Sequence, residues 1–443
     1  MRIYYGWWIV GVMAAVMFVT TGTFFYGFST LVDPLSEEFG WSRALIGGAF
    51  SLRSEMGGLE APVVGYLIDR LGSRILLICG IILVGVGFVL LSRINAIWGL
   101  YLSVAVIAVG MGATSGPVAY TAIAHWFVKK RGRATALVTL GGGASGVMVM
   151  VLAALISAFG WRNALLTVGI AQIAIGVPLA LLVRQQPEDM GLLPDGEPPS
   201  EGEAAPALVA DATEEGRAPK GPAAASEEPV SIHRQGLTMT QALRNRTFWL
   251  LGVAMALISL GSMGIVVHQV AYLKQSVGFS SETAAQIATA MTVLSLFGRL
   301  GFGYLADFVD KKKLLAVAYA LMALGILSIA TIQTQWQVVF YLALFSPGWG
   351  ASIAVRPVLQ AELFGLRAFA GIQGLMFTIS SVGSVSGPIF VGAMYDVVGD
   401  YRPAFLITAL AALIAVPAIM LTPMPRAVEA RGSLAVAEAE AEP

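Results

Sequence analysis

Charge is scarce in this chain. Of 443 residues, 27 are Lys or Arg and 27 are Asp or Glu, together 12%. The zero net charge removes the electrostatic basis for binding nucleic acid. Cys79 is the only cysteine, so no intrachain disulfide can form. The three histidines, His125, His233 and His268, lack metal-ligand spacing, so neither a metal nor another cofactor is expected. There is no HExxH and no nucleophile–base pair, which argues against an enzyme. The glycine runs Gly141–Gly143 and Gly383/Gly387 lie in apolar stretches with no Lys-Ser/Thr behind them. They read as sites of close helix packing rather than a phosphate loop. Nothing at the N-terminus resembles a cleaved signal, because the first apolar stretch is too long for one.

Apolar residue is what fills the chain: 57% is hydrophobic and the mean hydropathy is +0.77. A bilayer core of about 30 Å takes roughly 20 apolar residues per helix, and stretches of that length recur. They predict helices at 7–31, 44–68, 75–93, 98–125, 134–158, 164–184, 248–273, 283–307, 313–333, 336–360, 369–394 and 402–422. Residues 185–246 are rich in Pro, Ala, Gly and Glu and cannot bury a core. The expectation is an all-α membrane protein of twelve transmembrane helices in two pseudo-symmetric six-helix bundles, 1–184 and 247–423. A mostly disordered linker, 185–246, joins them, and a disordered tail, 424–443, follows. A short amphipathic helix is expected near Thr238–Arg246.

Basic residues set the orientation. Loops after even-numbered helices hold Arg70 and Arg74, the run from Lys129 to Arg133, Lys311 to Lys313, and Arg367. Loops after odd-numbered helices hold isolated basics only. Linker and both termini are therefore expected in the cytoplasm, with the protein multi-pass in a cell membrane. The halves also repeat. Gly65-Tyr-Leu-Ile-Asp69 returns as Gly303-Tyr-Leu-Ala-Asp307, and Trp161-Arg162-Asn163-Ala164 as Tyr401-Arg402-Pro403-Ala404. Gly142/Gly146 returns as Gly383/Gly387, and Trp8 and Gly11 as Trp249 and Gly252, all at an offset of 238 to 241 residues. Shared offsets mark a duplication, and two parallel six-helix repeats are a secondary-transporter layout.

The segment Gly65-Tyr-Leu-Ile-Asp69-Arg70-Leu-Gly72-Ser-Arg74 resembles the signature loop of the major facilitator superfamily. As a latch, Gly65 permits close helix approach, Asp69 meets a helix N-terminus, and Arg70 and Arg74 pair across the loop. The second copy, Gly303 to Asp307, loses the Arg-x-Gly part to Phe308-Val-Asp310, which puts the weight of gating on the first half. A closer resemblance is to the monocarboxylate-transporter and oxalate–formate-exchanger branch. It is carried by Tyr5-Gly6-Trp7, Glu38-Phe-Gly-Trp-Ser-Arg43, Gly160-Trp-Arg162, His268-Gln-Val-Ala-Tyr272 and Gly298-Arg299.

That resemblance implies a transporter, monomeric, for small monocarboxylates of the lactate or pyruvate type, with proton symport. The alternatives are organic-anion exchange, export of a larger acid or drug, or a sensor that keeps the fold. Arg299, which the resemblance makes the substrate arginine, lies eight residues before Asp307, about 12 Å up the helix. An arginine at that depth needs a cavity and a partner, and its planar fork fits a carboxylate. Helix eleven has no Lys or Arg where the exchangers' second cation would stand, with Ser380 near that place, which favours one carboxylate over two. Tyr26, Tyr120, Arg356 and His268 are further substrate candidates; Arg356 can instead pair with Glu362 at an inner gate. Glu60, on one face with Arg53, and His268 are the proton-coupling candidates.

Overall fold

The computed structural model describes residues 4–114, 116–196, 236–334 and 336–423. Side chains 43, 44, 51 and 53–55, and with them Arg53 and Glu55, lie outside the described set. Ten stretches among the described residues are long and apolar enough to cross a membrane. One of them, Arg131–Leu181, is two helices joined at Gly160, whose φ of 76° breaks the helical path. Arg43–Leu71 forms a 29-residue helix that carries more charge. Twelve crossings result. They are α1 (Tyr5–Phe39), α2 (Arg43–Leu71), α3 (Ser73–Leu91), α4 (Ile97–Trp126), α5 (131–159) and α6 (161–181). The second half holds α7 (Arg246–Gln275), α8 (Ser281–Leu305), α9 (Lys311–Ala330), α10 (Gln337–Phe364), α11 (Phe369–Val398) and α12 (Arg402–Met420).

Each half has its own core. One cluster, Leu237 to Ile419, packs only second-half residues. Two others draw on the first half, joined by Ala370 of α11, and a small fourth cluster packs Ala124 of α4 against Ala361, Leu366 and Phe369 of the second half. Large apolar side chains such as Trp98, Leu59, Phe340 and Leu410 remain exposed around the outside, as a lipid-facing surface requires.

Two helices depart from regular geometry where they meet. α1 loosens into a π turn over Thr21–Tyr26 and tightens into a 3-10 turn over Gly27–Leu31. α5 is interrupted by a 3-10 turn at Ser145–Val147. A Cβ on Gly22 would lie 2.6 Å from the Ser145 carbonyl oxygen, so the two irregular turns are in direct apposition. Irregular backbone at membrane depth is tolerated where protein or a cavity satisfies it.

The segment after α6 is more ordered than its composition predicts. Two 3-10 turns, Pro187–Met190 and Pro194–Gly196, fold back against the α4–α5 loop. There the buried Asp195 carboxylate accepts from the backbone N–H groups of Val128 (2.9 Å), Lys129 (2.7 Å) and Lys130 (3.1 Å). Tyr4 adds a hydrogen bond to the Leu193 carbonyl at 3.0 Å. On the other side Leu237 N–H donates to the Phe364 carbonyl at 2.8 Å, ahead of the short helix Met239–Leu243 capped by Thr238. The rest of the linker and the tail lie outside the described residues.

Candidate functional site

The duplicated Gly-Asp motif builds two reciprocal latches on the side of the bundle that carries the linker. Asp69, at the end of α2, accepts from Ala370 N–H at 3.2 Å and Gly371 N–H at 2.9 Å, at the start of α11. Asp307, after α8, accepts from Gly132 N–H at 2.7 Å and from Arg133 Nε at 2.5 Å, at the start of α5. Each half thus places a carboxylate on a helix N-terminus of the other, where the exposed N–H groups and the dipole favour an anion. Gly65 and Gly303 make this possible. A Cβ at either would run into the opposite half, at the Ala370 carbonyl from Gly65 and at the Ala136 side chain from Gly303.

Two expectations need correction here. Arg70 does not pair across the loop; its guanidinium lies 4.7 Å over the ring of Tyr66 in its own helix. Arg74 lies apart from the latch, in a crevice with Arg184, Gln185 and Asp189, and Gly72 ends α2 with a φ of 82°. Nor is gating weighted to the first half. In the second copy, Arg133 of the opposite half supplies the lost arginine, stacking 5.0 Å from Tyr304 and 5.3 Å from Phe308. Asp307 keeps only 2% of its side chain exposed.

Above the latches, α2–α11 approach continues up to Thr378, whose hydroxyl donates to the Gly58 carbonyl at 2.7 Å. The α5–α8 approach continues up to Gly143 and Arg299. The halves are therefore closed toward the linker side. Between them lies a cavity of about 280 Å³ with walls from both halves. Its lining holds one carboxylate, Glu60, and one guanidinium, Arg356, together with Tyr120, Gln360 and Gln373. Glu60 packs against Gly112 of α4. Arg356 does not meet Glu362. That carboxylate is taken by Lys311 at 3.2 Å, while Arg356 sits 5.4 Å over the Tyr319 ring.

Arg299 lies beside the cavity rather than on its wall. Only 7% exposed, it is wedged into the α5–α8 seam, where Nη1 donates to the Thr139 carbonyl at 2.5 Å and Nε has no partner. Gly143 makes the space, since a Cβ there would lie 2.7 Å from Nη1. No carboxylate among the described residues pairs with it. Tyr26 and Tyr120 are within its electrostatic range, and Tyr120 is within that of Arg356 as well. The remaining candidates stand elsewhere. The Ser380 hydroxyl is spent on Ser259 at 2.8 Å, between α11 and α7. His268 Nε2 lies 3.0 Å from the Pro388 carbonyl, with its ring 5.5 Å from Tyr401, and it is not on the cavity wall. Gln360 and Gln373 were not singled out by sequence, and Gly143 and Arg133 were read only as helix packing and as an orientation signal, although Gln360 follows Arg356 by one helical turn on the same face. On the far side, Glu38 accepts from Trp161 Nε1 at 2.7 Å and from Arg162 Nη2 at 2.8 Å, so two of the short sequence motifs form one cluster.

Twelve helices in two repeats, latched reciprocally around a central cavity, have the layout of a secondary transporter. The chain belongs to the Major Facilitator Superfamily, whose family model matches residues 12–269 and again 251–438. It is 23% identical to the oxalate:formate antiporter of Oxalobacter formigenes, over 92% of this chain and 89% of that protein. It is 26% identical to monocarboxylate transporter 11 of Mus musculus, over 91% of this chain and 84% of that protein. Among solved structures, the human organic anion transporter TETRAN superposes with a TM-score of 0.68 at 12% identity, covering 94% of this chain and 99% of that one. The Escherichia coli fucose:proton symporter FucP gives 0.65 at 17% identity, covering 94% and 98%. At these identities the structural likeness concerns the fold alone.

Proposed function

We propose that this protein is a secondary transporter of small monocarboxylates, coupled to protons and working by alternating access. The observation that carries the reading is the composition of the cavity: one guanidinium, Arg356, and one carboxylate, Glu60, on walls contributed by opposite halves. With Glu60 ionised the walls are neutral and an incoming carboxylate gains little. A proton on Glu60 leaves the walls with one net positive charge, which one carboxylate offsets. Proton and anion then load together. Arg299, buried without an acidic partner, completes the carboxylate site when the halves rock and the α5–α8 seam loosens. Relatedness to proteins named as monocarboxylate transporters and an oxalate:formate antiporter supports the substrate class. The linker side is taken as cytoplasmic from its Lys and Arg content.

The test is uptake in proteoliposomes under an inward proton gradient, with labelled monocarboxylates set against oxalate and formate. Uptake of a three- or four-carbon monocarboxylate is expected, falling roughly 30-fold or more in Arg356→Ala and in Arg299→Ala, the scale for truncating a buried charge contact. Uptake of none of these acids, or full activity in Arg356→Ala, overturns the reading. Dependence on a counter-substrate without dependence on pH replaces symport by exchange.

A further inference from the structure

On the linker side of the first half, apart from the central cavity, the start of α3 and the end of α6 enclose a crevice. Deeper in the membrane the two helices pack closely. A Cβ on Gly85 would lie 2.8 Å from the Gly169 carbonyl oxygen, and one on Gly176 would lie 2.9 Å from the Ile81 side chain. Toward the linker they part, and two guanidiniums line the gap. Arg74 stands on the first turn of α3, and Arg184 three residues past the end of α6. The 19 residues of α3 make about 28 Å of helix, which matches the hydrocarbon core of a bilayer. Its first turn therefore lies at the depth of the lipid headgroups.

Among the described residues, neither guanidinium has a hydrogen-bond or ion-pair partner. Asp189 lines the same crevice but pairs with neither; its carboxylate accepts from Gln186 Nε2 at 3.1 Å. Two cations and one anion leave the crevice with one net positive charge. The rest of the lining is largely apolar and open: Leu71 is 48% exposed, Ile75 51% and Leu181 47%. A phosphodiester carries one negative charge, and the planar fork of an arginine grips two of its oxygens at once. A free phosphate would leave the apolar side chains uncovered, whereas a lipid covers them with the upper part of its chains. We propose that the crevice binds a phospholipid of single net negative charge, of the phosphatidylglycerol type. Its phosphate lies between Arg74 and Arg184, and its chains lie over Leu71, Ile75 and Leu181. Basic pockets between membrane helices take anionic headgroups in this way. The lipid joins the first turn of α3 to the segment that carries Asp195, whichever acid the protein transports.

The experiment uses the full chain in neutral detergent, stripped of lipid and mixed with equal amounts of dioleoyl phosphatidylglycerol, phosphatidylethanolamine and phosphatidylcholine. Native mass spectrometry counts the lipid retained. One phosphatidylglycerol per chain is expected, in roughly tenfold excess over the other two lipids. The double variant Arg74→Gln/Arg184→Gln is expected to lose it, and Arg74→Lys/Arg184→Lys, which keeps both charges, to hold it. Arg244→Gln/Arg246→Gln removes two arginines from the same side outside the crevice and is expected to bind like the wild type. Inorganic phosphate and glycerol 3-phosphate are expected not to displace the lipid. Where the glutamine pair aggregates on gel filtration, Arg184→Gln alone decides, since that side chain is exposed beyond the helix. Equal retention of the three lipids, or undiminished retention in the Arg74 and Arg184 glutamine variants, overturns the site. An equal fall in Arg244→Gln/Arg246→Gln replaces it by diffuse surface charge. A preference for phosphatidylethanolamine moves recognition to Asp189 and overturns the anionic choice, and displacement by free phosphate overturns the lipid as occupant.

Discussion

Glu60 concentrates the coupling question in one side chain. It stands on a cavity wall that holds no other carboxylate among the described residues, and its neighbour Gly112 leaves no room for a side chain in its place. If it carries the proton, Glu60→Gln fixes the wall in its protonated charge state. Uptake driven by a proton gradient should fall to the ungraded rate, and counterflow of the same acid should persist. Gradient-driven accumulation that survives in Glu60→Gln transfers the proton to another group. The identity of Glu60 was legible from the sequence, because a mid-helix acid in an apolar chain is conspicuous. Gln360 and Gln373 of the same cavity were not. They lie on different helices, and an uncharged amide in a membrane helix gives no signal until its partners are seen.

At the scale of elements, the two latches look alike in sequence and differ in strength. Asp307 receives a guanidinium as well as a backbone N–H, whereas Asp69 receives backbone N–H groups only. Charge-assisted hydrogen bonds contribute about 1.5–3 kcal/mol each when sheltered and less where water competes. Asp307→Asn should therefore open the linker side more than Asp69→Asn. Spin-label distances between the linker-side ends of the halves can rank them, in a background where the single exposed cysteine, Cys79, is replaced. A larger opening in Asp69→Asn would reverse the assignment. Both aspartates were legible in the repeated motif, as were the close approach at Gly65 and a helix terminus as the partner of Asp69, because capping is local physics. The motif misled on the arginines. Arg133 reaches its carboxylate across the seam between halves, and Arg356 loses Glu362 to Lys311 of α9. Neither choice is encoded within one loop.

For the molecule as a whole, the repeat offset and the hydropathy pattern made two six-helix bundles legible. What they obscured was where the connection between bundles begins. Composition placed residues 185–196 with the linker, yet Asp195 collars the three N–H groups just ahead of α5. That collar steadies the turn whose next residues, Gly132 and Arg133, receive Asp307. A buried carboxylate satisfied by three donors outweighs the polar composition around it. The strap therefore belongs mechanically to the first bundle, as Gly236 and Leu237, paired to Phe364 and Gly365, belong to the second.

Each anchor holds to its own bundle: Asp195 to the first, Gly236 and Leu237 to the second. Fragments 1–196 and 236–443, made as two separate polypeptides in one cell, should recognise each other through the latches and copurify as a working pair. A first fragment ending at 190, which removes the Asp195 collar, should pair poorly. Copurification that is indifferent to this six-residue difference would show that the collar has no part in assembly. In genetic terms, the position behind Gly196 is where the gene should tolerate being cut in two, and a cut that removes Asp195 from the first fragment is one it should not.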